Sequence, residues 1–360
     1  MSSVKVFTWF LILAIVAFSS CERDSTLRVQ KPQPIVKFDQ PFNNAKAQRG
    51  KLLVVTILLS DLENIAHLEV FTKDSIFYSG APSEAELKLE LDTRSWKVGS
   101  NQLTAEVRRK DGKTVKDNRI IKVLSDIYPE DYTVKMVNAY PHLTSSYTQG
   151  LEFDNGTLYE GTGGMGSTGV SIVAKVDYKT GGIKQKFTLA ANYFGEGITI
   201  LGDDLYQLTW QQNKCFVYDK NTLQRKNDFT FTGEGWGLCN DGNVLIMSDG
   251  SERLYVRDPA TFGLLKTIEV YSNQGPVKFL NELEYINSKV YANLYQSNNI
   301  VIINPSTGIV EGIIDCSELS LEYRKSGEVL NGIAYKKDTG RLFLTGKNWP
   351  NLLEVELVKQ

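Results

Sequence analysis

Gln149-Gly150-Leu151-Glu152-Phe153, Glu196-Gly197-Ile198-Thr199-Ile200, Trp236-Gly237-Leu238-Cys239-Asn240, Asn281-Glu282-Leu283-Glu284-Tyr285 and Asn331-Gly332-Ile333-Ala334-Tyr335 share one pattern: a polar residue or an indole, a glycine or its stand-in, then apolar residues. Their starts lie 47, 40, 45 and 50 residues apart. A second strand-like stretch follows each one: Leu158-Tyr159-Glu160, Leu205-Tyr206-Gln207, Val244-Leu245-Ile246, Val290-Tyr291-Ala292 and Leu342-Phe343-Leu344. In four units a third stretch ends in a turn, as in Val176-Asp177-Tyr178-Lys179-Thr180-Gly181 and Ile303-Asn304-Pro305-Ser306-Thr307-Gly308, and a fourth stretch such as Gly182 to Leu189 comes after it. About 45 residues and four strands per unit is the arithmetic of a β-propeller blade. The expectation is therefore a five-bladed β-propeller over residues 127–360. The last unit runs out after Leu352-Leu353-Glu354-Val355-Glu356-Leu357. Tyr132-Thr133-Val134-Lys135-Met136-Val137 can supply its missing strand, joining the two ends and leaving no open edge.

The first strand of each blade lines the central channel, so the first residue of each unit is expected at one mouth. Those residues are Gln149, Glu196, Trp236, Asn281 and Asn331. Structural positions tend to repeat from blade to blade, whereas these five differ chemically and are nearly all polar, which reads as a site. One carboxylate among amides and an indole suits proton transfer on an amide-bearing substrate: Glu196 to move the proton, the amides to hold the group, Trp236 to stack or to donate from its indole N–H.

Upstream, residues 33–126 read as about seven short strands, the pattern of an immunoglobulin-like sandwich. Leu52 to Leu59 is a continuous apolar run, expected as a strand buried on both faces, and Glu86-Leu87-Lys88-Leu89-Glu90-Leu91 alternates with period two. Lys110-Asp111-Gly112-Lys113 is a hairpin turn. Trp96 and His67 are expected to pack, and the module to serve as spacer or docking unit. Residues 1–20 read as a signal peptide, with Lys5 before an apolar run from Val6 to Phe18 that is short for a bilayer span. Cys21 after Ser19-Ser20 resembles the lipidation site of a bacterial lipoprotein, and residues 21–32 read as the tether, a plain secretory signal being the alternative. The protein is thus expected in the bacterial cell envelope, periplasmic or at the surface, as a monomer held to the membrane by lipid.

Composition excludes several classes. Lys+Arg 40 against Asp+Glu 42 leaves net charge −2, with no basic field for nucleic acid. The chain has two histidines, His67 and His142, too few for a His-clustered zinc centre. The cysteines other than Cys21 are Cys215, Cys239 and Cys316; the first two stand in apolar strand contexts and read as small buried hydrophobes. A cysteine nucleophile would have only His142 as a base.

Tyr147-Thr148-Gln149-Gly150-Leu151, Tyr193-Phe194-Gly195-Glu196-Gly197, Gly235-Trp236-Gly237-Leu238, Leu280-Asn281-Glu282-Leu283-Glu284-Tyr285, Leu330-Asn331-Gly332-Ile333-Ala334 and Thr345-Gly346-Lys347-Asn348-Trp349-Pro350 together resemble the plant-type glutaminyl-peptide cyclotransferases, or glutamine cyclotransferases. The resemblance covers about residues 130–358 and recurs in order through every unit. It implies a five-bladed propeller without metal or other cofactor that converts N-terminal glutamine of peptides and proteins to pyroglutamate, releasing ammonia. It implies Glu196 as proton shuttle, Gln149, Asn281 and Asn331 as binders of the substrate's amide and backbone, Phe194, Trp210 and Trp236 as an aromatic pocket, and Lys347 at its rim. Tyr147 stands where the family usually has Phe, Tyr295 where plant members have Trp, and Leu143 where Asp is common. The two aromatic exchanges bear on substrate preference.

Alternatives stand beside each role. Glu196 could pair with a cation that pins the blades together, the tryptophans could be core, and Lys347 a solvated loop lysine. Asp249 and Asp177 read as turn residues. A non-catalytic surface propeller that binds peptides or glycans in the same channel is the competing function; a lyase or lactonase would need carboxylate and imidazole ligands that the chain lacks.

Overall fold

The computed structural model describes residues 34–360 apart from Met165, Ser167 and Thr168. The expected leader, Cys21 and the tether lie outside the described residues. The described residues are built from strands and turns, with one short α-helix, α1 (Ser317–Tyr323), and one 3-10 turn at Leu62–Asn64.

The chain opens with β1 (Val36–Gln40), β2 (Ala45–Gln48), β3 (Leu52–Leu59), β4 (Ile65–Thr72), β5 (Ser75–Gly80), β6 (Glu86–Asp92), β7 (Gly99–Arg109) and β8 (Thr114–Leu124). They form a three-stranded sheet, β1-β3-β6, and a five-stranded sheet, β2-β8-β7-β4-β5. One apolar core lies between them, with Phe38, Val55 and Ile57 from the first sheet and Leu68, Leu103 and Ile121 from the second. The apolar run of β3 is not buried on both faces as expected: Leu52 is 61% and Val54 56% exposed, while Val55, Ile57 and Leu59 are buried. Its sheet is covered on one side only, so the side to which a residue points, and not its hydrophobicity, leaves Leu52 and Val54 in solvent. Trp96 packs as expected, its ring 5.6 Å from Phe77.

β9 (Glu130–Pro141) precedes the repeats. The first repeat is the antiparallel meander β10 (Thr148–Asp154), β11 (Thr157–Thr162), β12 (Ile172–Asp177) and β13 (Gly182–Thr188). The second is β14 (Gly195–Leu201), β15 (Asp204–Thr209), β16 (Lys214–Asp219) and β17 (Arg225–Thr230), and the third β18 (Leu238–Asn240), β19 (Leu245–Ser248), β20 (Arg253–Arg257) and β21 (Leu264–Glu269). The remaining strands join in one eight-stranded sheet: β22 (Leu280–Ile286), β23 (Lys289–Leu294), β24 (Asn299–Ile303), β25 (Val310–Asp315), then β9, β28 (Asn351–Lys359), β27 (Arg341–Gly346) and β26 (Leu330–Lys336). β9 runs antiparallel to β28 from Pro141 opposite Asn351 to Tyr132 opposite Lys359, the position expected for the missing strand. It also runs parallel to β25 over Glu130–Thr133, a pairing that the repeat arithmetic did not contain.

The leading strands touch in cyclic order, β10 to β14 to β18 to β22 to β26 and back to β10. Glycine lets them approach. A Cβ on Gly197 would fall 2.6 Å from Leu238 N, and one on Gly150 or Gly237 would strike the next strand's backbone at Ile198 N or the Asn281 carbonyl. In the fourth repeat Glu282 takes the glycine's place and spans the centre, accepting from Leu151 N at 3.1 Å and Ile333 N at 2.8 Å. Glu152 accepts from Ile200 N and Glu284 from Tyr335 N in the same manner. These carboxylates satisfy strand amides that no ladder reaches. Burial pushes their pKa values up, Glu152 to about 7 and the other two well above the ordinary carboxylate value.

Strands β1–β8 and the repeats share one compact body, Ile35–Gln360. Val98 and Leu124 pack against Tyr271 and Ile309, Ser125 N donates to Ser272 O at 3.1 Å, and Ser100 Oγ donates to Glu269 Oε1 at 2.9 Å.

Candidate active site

In four of the five repeats the residue expected at the mouth stands at a break in its ladder. The register shifts between Thr148 and Gly150, Gly195 and Ile198, Leu280 and Leu283, and Leu330 and Ile333. Gln149, Glu196, Asn281 and Asn331 fall inside those bulges. A bulge unpairs its residue and re-aims the side chain, here away from the cores between sheets. Trp236 lies just before β18; its backbone N–H donates to Ser248 O at 3.0 Å, and Gly237 N donates to Ser248 Oγ at 2.8 Å.

A cavity of ≈ 500 Å³ collects these side chains. Gln149, Glu196, Trp236 and Asn281 line it, as do Tyr147, Phe194, Trp210, Tyr295 and Lys347. Asn331 does not line it. That side chain is fully buried beside Gln149, donating from Nδ2 to Gln149 Oε1 at 3.3 Å and to Thr148 O at 3.0 Å. Its place fits positioning of Gln149 rather than the direct substrate contact that the resemblance implies.

Glu196 is 5% exposed and accepts from Gln149 Nε2 at 3.0 Å. Among the described residues no cation forms an ion pair with it, so the blade-pinning alternative has no partner here. Burial pushes its pKa well above the usual carboxylate value; Lys347 draws it down and Glu234 adds to the rise. Lys347 is neither at the rim nor solvated. It is 3% exposed, with Nζ 4.7 Å from the Tyr147 ring centre and 5.2 Å from that of Tyr295, a cation–π clamp. Burial lowers its pKa, and Glu196 and Glu328 oppose that.

The walls are aromatic. Tyr147 meets Phe194 edge-on at 6.2 Å, Phe194 meets Trp210 at 5.8 Å, and Trp236 meets Tyr295 at 5.5 Å. The indole of Trp236 is not free to donate to a ligand, contrary to the sequence expectation. Glu234 Oε2 accepts from Trp236 Nε1 at 3.0 Å and from Trp210 Nε1 at 2.8 Å, and Gln211 Nε2 donates to Oε1 at 2.8 Å. Those donors hold its pKa below the ordinary value against its burial. Glu234 escaped the sequence reading although it stands two residues before Trp236; Glu328 and Ser145 of the lining escaped it too, since they lie in turns outside the repeat pattern. Asn281 is 2% exposed, and its Oδ1 has no hydrogen-bond partner among the described residues. A buried acceptor left unpaired costs about 1–3 kcal/mol, so Asn281 Oδ1 is suited to accept from a donor that enters the pocket.

Among the described residues the cysteines and His142 lie outside the pocket lining. Cys215, Cys239 and Cys316 are buried free thiols whose pKa values burial pushes up. His142 is buried, with Nε2 3.0 Å from Glu160 Oε1 and Nδ1 2.8 Å from Trp349 O. Asp249 is a turn residue as expected, accepting from Ser251 N at 3.0 Å.

Fold and site together define a class: an all-β protein with one buried acid in an aromatic, amide-lined pocket. Within that class the chain belongs to the glutamine cyclotransferase family, whose model, described as "Glutamine cyclotransferase", matches residues 113–357. Glutaminyl-peptide cyclotransferase of Arabidopsis thaliana is 43% identical to it over 230 residues, 62% of this chain and 71% of that protein. The crystal structure of Myxococcus xanthus glutaminyl cyclase superposes with a TM-score of 0.61 at 36% identity, covering 64% of this chain and 99% of that one.

Proposed function

We propose that this protein is a glutaminyl-peptide cyclotransferase that closes N-terminal glutamine to pyroglutamate, with Glu196 as the proton shuttle. The observation that carries the reading is a single buried carboxylate of raised pKa, set among amides and aromatic rings and beside an unpartnered Asn281 Oδ1. The substrate supplies its own nucleophile. Its α-amine, of pKa about 7.7–8.0, is neutral in useful fraction near pH 7. The amine nitrogen attacks the γ-carboxamide carbon, and the new C–N bond closes a five-membered ring. Glu196 takes the proton that the amine sheds and gives it to the departing nitrogen as the old C–N bond breaks, so that ammonia leaves and the carboxylate is restored. Acid–base help of this kind contributes about 10²–10⁴-fold, and holding the chain curled adds to it. In this reading Asn281 Oδ1 accepts from the substrate's N–H groups, the aromatic walls exclude water, and Asn331 orients Gln149.

The five meanders in cyclic contact support a five-bladed propeller over residues 127–360, and the two sheets before it support an immunoglobulin-like sandwich over 33–126. The leader pattern supports lipidation at Cys21 and residence in the bacterial cell envelope. Cys21→Ser is expected to release the protein from the membrane fraction; unchanged membrane association contradicts the anchor. The reaction is tested by incubating the purified protein with a glutamine-initiated dipeptide and following ammonia. Binding without ammonia release would favour the non-catalytic propeller.

A further inference from the structure

Three charged side chains line the pocket: Glu196, Lys347 and Glu328. The first two are buried, and Glu328 alone is exposed. Its backbone is fixed on both sides, with Glu328 N donating to Lys347 O at 2.7 Å and Trp349 Nε1 donating to Glu328 O at 3.0 Å. Its carboxylate is fixed as well. Tyr147 donates from its hydroxyl to Glu328 Oε2 at 3.1 Å. Among the described residues no lysine or arginine forms an ion pair with Glu328. Lys347, which is coupled to Glu328 by charge, is buried under the Tyr147 and Tyr295 rings.

A peptide whose glutamine reaches Glu196 must lead its second and third residues out through the open side of the cavity, past the exposed lining. We propose that Glu328, oriented by Tyr147, is a specificity subsite that selects peptides carrying a lysine or arginine directly after the N-terminal glutamine and disfavours an acidic residue there. The proposal rests on the glutamine-cyclising reading of the pocket. A preorganised carboxylate loses little side-chain freedom on pairing, so it gains more than an ordinary surface ion pair. Attraction of the basic peptide and repulsion of the acidic one add, and a selectivity ratio of about tenfold is expected at low salt, shrinking as salt screens the charges.

The experiment compares Gln-Lys, Gln-Ala and Gln-Glu peptides of equal length on the full protein, Glu328→Gln and Tyr147→Phe, at low and high salt. The kcat/KM ratio of the Lys to the Glu peptide is expected near ten in the wild type, near one in Glu328→Gln, and between the two in Tyr147→Phe. A ratio near one in the wild type, or an unchanged ratio in Glu328→Gln, overturns the subsite. Failure of the underlying reading looks different, since Gln-Ala is then not cyclised either. In that event the affinities of the same peptides, measured calorimetrically, still test the charge selection and decide it by the same ratios.

Discussion

Gln149 donates from Nε2 to Glu196 Oε1 at 3.0 Å, and its own Oε1 accepts from the fully buried Asn331. One amide thus ties the acid of the second repeat to the floor of the fifth, across three strands that share no ladder in the sheet order. The bond also sets a geometric limit on Glu196. One carboxylate oxygen is held by Gln149, so on the proposed reading the other is the one that meets the substrate's nitrogen.

Glu196→Gln keeps the shape and can still accept from Gln149, but it cannot carry a proton. Turnover is expected to fall by about 10²–10⁴-fold, with substrate affinity much less changed. The melting temperature should hold or rise, because an amide replaces an acid whose charge burial disfavours. A folded variant with wild-type turnover, measured per active site, ends the assignment.

Lys347→Met probes the charge balance of the pocket. The ammonium favours the ionised form of Glu196, so its removal pushes the Glu196 pKa further up. The acidic limb of the kcat–pH profile is expected to move to higher pH by about one unit or more. A limb that stays in place, or moves down, contradicts coupling between the two residues.

Glu234→Ala leaves both indole N–H groups without their carboxylate. The two rings should lose their fixed orientation, raising KM about tenfold, in line with the loss of charge-assisted hydrogen bonds at a half-buried site. kcat should change by less than about threefold, since Glu234 does not line the cavity, and Glu234→Gln should recover part of the loss. Changed tryptophan fluorescence in the folded variant gives a second readout; a fall in kcat alone would contradict a positioning role.

His142 and Glu160 form a buried pair that fastens the end of β9 to β11. Burial pulls the imidazole pKa down, but Glu160 outweighs it and holds the folded value above 6.5. Burial pushes Glu160 up, and His142 with two hydroxyls brings it below 4.5. The His142 contribution is complete below pH 6.5 and is lost as pH rises through the folded value. The Glu160 contribution is complete above pH 4.5 and is lost as pH falls through its folded value. His142→Gln should therefore destabilise by about 3 kcal/mol near pH 5.5, where both are ionised, and by less near pH 9. Urea unfolding of both proteins at the two pH values checks the difference; a penalty that grows with pH contradicts it.

The repeat spacing, the strand count in each unit and the role of Tyr132–Val137 as the strand beside β28 were legible in the sequence, because strand periodicity and turn chemistry are local. So was the gathering of Gln149, Glu196, Trp236 and Asn281, since equivalent positions of a repeat meet near its axis. Four things needed the tertiary structure. Leu52 and Val54 face solvent because sheet coverage, and not hydrophobicity, decides which side of a strand is buried. Asn331 drops beneath Gln149, and Lys347 is walled in by two tyrosine rings, because a pocket wall is made by neighbours distant in the chain. Glu234 and Glu328 join the site from turns that carry no periodic signal. The pKa of Glu196 follows from burial and from the separate placement of Lys347 and Glu234, quantities that exist only once strands far apart in sequence have closed around the carboxylate.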